Sequence, residues 1–283
     1  MFGKLIIVFI CFINAIPLLA ETGNVQREDN PDISKILFEH VLNSHELHLF
    51  PGIPAIDLPF GITVHLLMLW LAVALTALVF LLCFRKRSLK IHGPAVALEA
   101  LVIFVRDDIV YPIMGEKRGE KWLPFFATLF IFVVVSNCLG LIPAFRTATG
   151  NINVTAAMAA VIFVLMFISG MKNLGCRQFF SNMYPADTPW PIAMFIAFLE
   201  LTGTLIKSLI LSLRLFANML AGHLAILSFL VLIFIIGPAV SLISVSFAVF
   251  TYSLEVIMAL IQAFVFTLLS CIFITMASSS HAD

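Results

Sequence analysis

The chain has 283 residues, of which 61% are hydrophobic and only 11% are charged, and its mean hydropathy is +1.10. A soluble domain of this length is excluded, because its surface needs a much larger share of charged side chains. The net charge is zero and the five cysteines lack the spacing of a metal site, so we expect no nucleic-acid partner, metal or cofactor.

The N-terminal region has the pattern of an exported segment. Residues 1–20 carry one lysine followed by an apolar run, which predicts a signal peptide. Leu18 occupies a position where a cleavage site usually has a small residue, so an uncleaved anchor is the alternative. Residues 21–60 are first polar and acidic and then rich in Pro and Gly, which predicts an extracytoplasmic segment with a short helix near 33–44.

Three membrane spans of ordinary length follow. The apolar runs lie at residues 61–84, 123–143 and 153–170, and each reaches the ~18 residues that indicate a membrane helix. Between the first two, residues 85–122 form a basic loop. Its mostly apolar stretch at 94–114 carries scattered charges, which predicts an amphipathic helix on the membrane surface.

The distribution of positive charge predicts the orientation. Residues 85–121 hold eight of the 16 Lys and Arg residues, and Lys172 and Arg177 follow the third span. Because Lys and Arg accumulate in cytoplasmic loops, we expect the N-terminal segment outside and the C-terminus in the cytoplasm. Together with the secretory signal, this favours the plasma (inner) membrane of a bacterium, and an organelle membrane is the alternative.

The C-terminal third contains two very long apolar stretches, residues 191–236 and 239–278, separated by Gly237 and Pro238. As a helix the first would be ~69 Å long, over twice the ~30 Å hydrocarbon core. Each stretch is either two spans with almost no loop or one steeply tilted helix. No polar cluster marks a loop, so we predict a hairpin of two tilted helices. Ordinary tilt reaches only ~40°, so a partner protein must support them from the side.

Charged residues in this apolar third follow a seven-residue spacing. Each intramembrane charge costs roughly 2.5–3.5 kcal/mol, so a purely structural helix would avoid them. Glu200, Lys207 and Arg214 share one stripe, because seven residues of helix drift by only ~20°. Asn218 follows Arg214 by four positions and stays near the same stripe. This pattern predicts one polar face on the first long helix.

A titratable pair is predicted on a different face. His223 lies nine residues beyond Arg214 and therefore half a turn away from it, while Glu255 and Gln262 share a face of the second long helix. An antiparallel hairpin brings His223 and Glu255 to a similar depth, where they can pair. Histidine and glutamate suit proton relay, whereas the guanidinium of Arg214 stays charged. The layout suggests two aqueous paths kept apart by a fixed charge.

Three sequence runs resemble one known family, the a subunits of F-type ATP synthases. They are LSLRLFANMLAGH at residues 211–223, ALIQAFVFTLLS at 259–270 and NINVT at 151–155, within a resemblance that covers roughly 30–280. The resemblance implies a proton-translocating stator subunit of the F0 sector that is not catalytic by itself. The implied partners are the c-subunit ring, the b-subunit peripheral stalk, the rest of the ATP synthase and the lipid bilayer.

The resemblance also implies roles for individual residues. Arg214 would be the essential cation facing the rotor, with Asn218 and Gln262 as supporting polar positions. Glu200 would belong to the cytoplasmic half-channel, and His223 with Glu255 would belong to the outer half-channel. One departure concerns Gly140, where some members carry an acid, so the sequence leaves the route of the outer half-channel open. It also does not distinguish H⁺ from Na⁺ or give the ring size.

A secondary transporter and a membrane redox enzyme are two alternative functions for a chain of this composition. A secondary ion transporter is the main alternative, and such proteins often show repeated halves and broken helices around a central site. No internal repeat is visible in this sequence. A redox enzyme needs well-placed axial ligands, yet only His65 and His223 fall in predicted membrane helices. A phosphate-binding loop and a zinc-protease H-E-x-x-H motif are both absent from the sequence.

Overall fold

A computed structural model describes residues 46–47, 56–57, 64–84, 94–142, 148–175, 178–179 and 189–278. The predicted signal peptide and the predicted short helix near 33–44 lie outside the described residues. Glu46–Leu47 (β1) and Ile56–Asp57 (β2) form a two-residue antiparallel pair in which Glu46 is opposite Asp57. All the other elements are helical, so the chain has the predicted all-α architecture.

The helices follow in chain order. They are α1 (Val64–Phe84), α2 (Pro94–Phe104), α3 (Tyr111–Met114), α4 (Glu116–Gly140), α5 (Ile152–Leu174), α6 (Trp190–Ile236) and α7 (Ser241–Ser278). A π-helical segment, Val105–Val110, joins α2 to α3, and short 3₁₀ turns occur at Ala148–Gly150 and Pro238–Val240. In the described part of the chain, α4, α5, α6 and α7 are long and apolar enough to span a membrane, and α1 contains a shorter apolar helix, Leu66–Leu81.

The second and third span helices are longer than their apolar runs. Helix α4 begins at Glu116, whereas the apolar run begins at residue 123, because the intervening Glu, Lys and Arg residues are good helix formers. Helix α5 begins where the Asn151 side chain accepts a 2.9 Å hydrogen bond from the Asn153 amide, an N-cap. It continues past residue 170 to Leu174. Charged helix ends therefore extend these spans beyond their apolar runs.

The segment before α4 packs into the body of the protein. Its side chains Val105, Ile109 and Val110 are fully buried, and the Phe104 ring lies 5.8 Å from that of Phe264 on α7. On the exposed side, the Arg106 guanidinium donates to the Asp107 carboxylate, and this hydrogen bond lowers the pKa of that carboxyl. The location of this segment at the membrane surface stays a prediction, but its buried apolar side chains belong to the protein core.

Each long C-terminal stretch forms one continuous helix. Helix α6 has 47 residues, which corresponds to ~70 Å, and α7 has 38. The alternative of two spans in each stretch is therefore wrong, because no residue between 190 and 236 interrupts the helical backbone. Helix α6 ends at Gly237, whose φ of 102° lies in a region that side chains with a Cβ avoid. The chain then turns through Pro238–Val240 into α7.

Helix α7 forms the centre of the bundle and packs against α4, α5 and α6. Its buried side chains include Phe266 and Ile274, which share a core with Phe126 on α4 and Ile162 on α5. Helix α6 differs sharply from α7. Only 6% of its most apolar 18-residue stretch is buried, against 44% of the corresponding stretch of α7. Most of the α6 surface therefore needs lipid or another protein to cover it.

Candidate functional site

Helix α6 has two distinct sides around Arg214. Its buried side packs on α5 and α7 and consists of five residues at helical spacing: Ser208, Leu211, Ser212, Leu215 and Met219. The three charged residues Glu200, Lys207 and Arg214 are all exposed on the other side. They are accompanied there by apolar neighbours such as Leu213, which is 48% exposed. The charged stripe predicted from the spacing thus points away from the core of this chain.

Arg214 has no carboxylate within ion-pairing distance in the described ranges of the chain. Asn218, one turn later, is half-buried. Gln262 on α7 is 4% exposed, and its Nε2 group has no hydrogen-bond partner among the described residues. Within the described residues, a fixed cation and a buried amide donor are thus both left without an acceptor. Such groups are costly unless a further partner supplies one.

The structure brings His223 and Glu255 together. His223 Nδ1 lies 2.5 Å from Glu255 Oε1, across the interface between α6 and α7. The Glu255 side chain is 4% exposed and that of His223 is 31% exposed, so one end of the pair is buried and the other reaches the surface of the chain. A short contact between two titratable groups, buried on one side, is an arrangement suited to proton exchange.

The carbonyl oxygen of Gly140 fixes the tautomer of His223. The other ring nitrogen, Nε2, lies 3.1 Å from this oxygen, at the end of α4. A carbonyl oxygen can only accept, so Nε2 must carry a proton and donate it. Nδ1 is then the single position where the ring gains or loses a proton, and it faces Glu255. While it holds the shared proton, the pair is therefore imidazolium with carboxylate or neutral imidazole with a carboxylic acid that donates to Nδ1, and after the proton has left it is neutral imidazole beside a carboxylate.

Gly222 provides the space in which the Glu255 carboxyl group lies. A Cβ added at Gly222 would lie 2.7 Å from Glu255 Oε1 and 2.9 Å from its Cδ, closer than van der Waals contact permits. The absence of a side chain at Gly222 lets the carboxyl group approach α6 and reach the adjacent His223. Only glycine leaves this space, so Gly222 belongs to the site although its side chain has no chemistry.

We expect Gly222→Ala to lower the proton translocation that the sequence resemblance implies by roughly tenfold, because a displaced carboxylate loses a charge-assisted hydrogen bond of about 1.5–3 kcal/mol. The measurement is ATP-driven acidification of vesicles that contain the complex to which the resemblance points. Gly203→Ala is the matched control, because it makes the same change on the same helix where, apart from the adjacent residues and the helix's own backbone, no described atom lies within 4 Å of the added Cβ. Equal pumping by the two variants would contradict the role of Gly222.

The sequence did not predict several residues that the structure adds to the site. Tyr252 donates its hydroxyl proton to the Leu141 carbonyl, 3.0 Å away, next to the carbonyl that holds His223. Asn137 is fully buried and joins α4 to two other elements, donating to the Ala259 carbonyl and accepting from Thr149. The spacing of Tyr252 three residues before Glu255 was the one available signal, because such residues share a helix face.

The predicted site residues therefore form two groups. His223 and Glu255 make one polar site inside the bundle, and Gln262 is buried two turns further along α7. Arg214, with Glu200 on the same exposed side of α6, forms the other. In the described part of the chain no hydrogen bond or ion pair connects the two groups, which fits a fixed charge separate from a proton-exchanging pair.

Comparisons with known proteins identify the family. The family model described as ATP synthase A chain matches residues 66–275. The chain is 36% identical to ATP synthase subunit a 2 of Chlorobium luteolum, with 93% of this chain and 80% of that protein covered. It is 38% identical to ATP synthase subunit a of Myxococcus xanthus, with 82% and 78% covered. The matched region contains α4 to α7 up to residue 275, with both polar groups, and the chain therefore belongs to the ATP synthase A chain family.

Proposed function

We propose that this chain is the proton-translocating stator subunit of the membrane sector of an F-type ATP synthase, with a c-subunit ring beside α6. The observation that carries the proposal is the exposed Arg214 on one side of α6, which has no ion-pair partner among the described residues, together with the His223–Glu255 contact on another side. The family membership supports the assignment to the complex. The roles proposed for individual residues rest on the charges and contacts of the described residues.

The exposed side of α6 is the proposed contact with the rotor. A guanidinium that lies among exposed apolar side chains, with no carboxylate partner in the described residues, requires an anion from another chain. A rotor ring that carries one carboxylate per subunit supplies such an anion repeatedly as it turns. Arg214 holds each deprotonated carboxylate but cannot pass a proton, because a guanidinium does not deprotonate in proteins. The fixed charge thereby prevents a direct proton leak.

The His223–Glu255 pair is the proposed proton donor to the rotor. Protons enter from the outer side, occupy the shared position between Nδ1 and Oε1, and pass to a rotor carboxylate. The neutral rotor site can then face lipid, where a charged carboxylate would be strongly disfavoured. After nearly a full revolution the proton leaves through the cytoplasmic half-channel, to which we assign the exposed Glu200. Each charge that crosses gains about 2.3 kcal/mol per 100 mV, which becomes torque.

ATP formation itself is assigned to other subunits. The sequence has no phosphate-binding loop, and the polar groups described here exchange protons and hold an anion. We place the chain in a bacterial plasma membrane with its N-terminus outside, next to the c-subunit ring and the b-subunit peripheral stalk. The low burial of α6 supports a large lateral partner, because the described residues leave one long side of this helix uncovered.

Photo-crosslinking tests the proposed rotor contact. Benzoylphenylalanine in place of Leu213, next to Arg214 and 48% exposed, is expected to form an adduct with the rotor subunit in the assembled complex. The control replaces Trp70, which is 72% exposed on α1, a helix that packs on α4. We expect no rotor adduct from position 70. An adduct from neither position, or from both equally, would contradict the assignment of the α6 surface to the rotor.

A further inference from the structure

The C-terminal end of α4 is held by side chains from two other helices. The last four carbonyl groups of any helix lack partners within the helix. Here the Asn137 and Leu139 carbonyls accept from the backbone amides of the next turn. The two following carbonyls accept from side chains, Gly140 from His223 of α6 and Leu141 from Tyr252 of α7. Two consecutive carbonyls are thus fixed by the two helices that carry the proton-sharing pair.

Tyr252 and Glu255 lie on the same face of α7, because they are three residues apart. One face of α7 therefore supplies the carboxylate that contacts His223 Nδ1 and the hydroxyl that holds the neighbouring carbonyl of α4. The Tyr252 hydroxyl donates at 3.0 Å, which is ordinary hydrogen-bond geometry. Displacement of the α4 terminus would also move the Gly140 oxygen, because the two carbonyls belong to adjacent peptide units.

We propose that Tyr252 is a positioning residue of the outer half-channel, which anchors the end of α4 so that the Gly140 carbonyl holds the His223 ring towards Glu255. This inference rests on the proposed function, because it assumes that the pair exchanges the transported proton. Tyr252 itself transfers no proton to the rotor. Its hydroxyl keeps Nε2 as the fixed donor and leaves Nδ1 as the single site of exchange.

The anchored Gly140 carbonyl holds the His223 ring in one orientation while the pair carries the shared proton. A helix C-terminus carries partial negative charge, which stabilises a nearby cation such as imidazolium. The titratable groups of this cluster are Glu255 and Tyr252 on α7 and Cys138 on α4, which lies near Tyr252. On α6 the preceding fixed cation is Arg214, nine residues before His223. Loss of the anchor should therefore loosen the His223 ring and change how proton exchange through the pair depends on pH.

The experiment compares Tyr252→Phe with Ser253→Ala in the reconstituted complex. Both variants lose one hydroxyl, but the exposed Ser253 donates only to Val249 within its own helix. The initial rate of ATP-driven acidification is measured across a range of pH. We expect the Tyr252→Phe profile to shift by about half a pH unit or more, because the hydrogen bond that orients the His223 ring is weakened. The Ser253→Ala profile should match the wild type.

An unshifted profile in Tyr252→Phe would overturn the proposal. So would failure of this variant to accumulate in the assembled complex, because the hydroxyl would then serve folding alone. The amount of subunit in the membrane and the rate of ATP hydrolysis are therefore measured in parallel. Arg214→Ala in the same assay tests the proposed function separately from the positioning role of Tyr252. If that variant pumps normally the proposed function fails, whereas an unchanged Tyr252→Phe with an inactive Arg214→Ala removes only the positioning role.

Discussion

Arg214→Ala is expected to lower ATP-driven acidification of vesicles by roughly a hundredfold or more, because an unpaired carboxylate in a low-dielectric interface costs several kcal/mol. The rotor carboxylate would lose the fixed cation that stabilises its charged form at the end of each turn. The barrier between the two half-channels would also be lost, so we expect a passive proton leak. Hydrolysis of ATP by the soluble head should continue.

Two further variants separate the charge of Arg214 from its shape and its position. Arg214→Lys keeps a cation but loses the planar fork that binds a carboxylate through two hydrogen bonds, so we expect an intermediate loss of pumping. Lys207→Ala removes another exposed cation on the same side of α6, seven residues earlier, and is expected to retain most of the pumping. Undiminished pumping by Arg214→Ala would mean that Arg214 is structural, and the mechanism would need other residues.

The His223–Glu255 pair should respond to substitution as a unit. His223→Glu alone places two carboxyl groups in close contact, and Glu255→His alone places two imidazoles there, so each single change is expected to abolish most of the pumping. The double exchange restores one histidine and one acid, and we expect it to recover a substantial part of the activity. Vesicle acidification by the wild type, both single variants and the double variant forms a complete thermodynamic cycle.

The recovery should be incomplete for a specific structural reason. The Gly140 carbonyl lies next to position 223 and can only accept a hydrogen bond. A carboxylate at that position would repel it, whereas the wild-type His223 donates to it. If the double exchange performs no better than the worse single variant, the two residues are not coupled. Full recovery would instead show that the Gly140 contact contributes nothing to the pair.

The sequence predicts that this is a membrane protein, that its C-terminal third forms a long helical hairpin, and which positions in that hairpin are polar. The length of an apolar stretch can be read directly from the sequence, and it indicates a membrane helix. Because a charge inside such a helix is costly, the presence of Arg214 there indicates a functional role for this residue. Seven-residue spacing likewise placed Glu200 and Arg214 on one stripe. The antiparallel hairpin was sufficient to bring His223 to the depth of Glu255.

Helix bounds were less readable, because the residues that extend a helix beyond the apolar run follow propensity and capping rather than membrane length. Helix α4 therefore starts at Glu116 instead of residue 123. The segment before it was expected to lie on the membrane surface as an amphipathic helix. Its buried residues Val105 and Ile109 join the core, which a charge pattern alone does not reveal, and its location at the membrane surface stays a prediction.

The sequence by itself determined which residues have the chemistry of the site, and the tertiary structure decided how that chemistry is arranged. His223 meets the Gly140 carbonyl across 83 residues, and Tyr252 meets the Leu141 carbonyl across 111. The space that Gly222 leaves belongs to the site only because packing places the Glu255 carboxyl group in it. These contacts depend on the rotation and depth of packed helices and on backbone carbonyls that every residue type possesses, so no local sequence pattern encodes them.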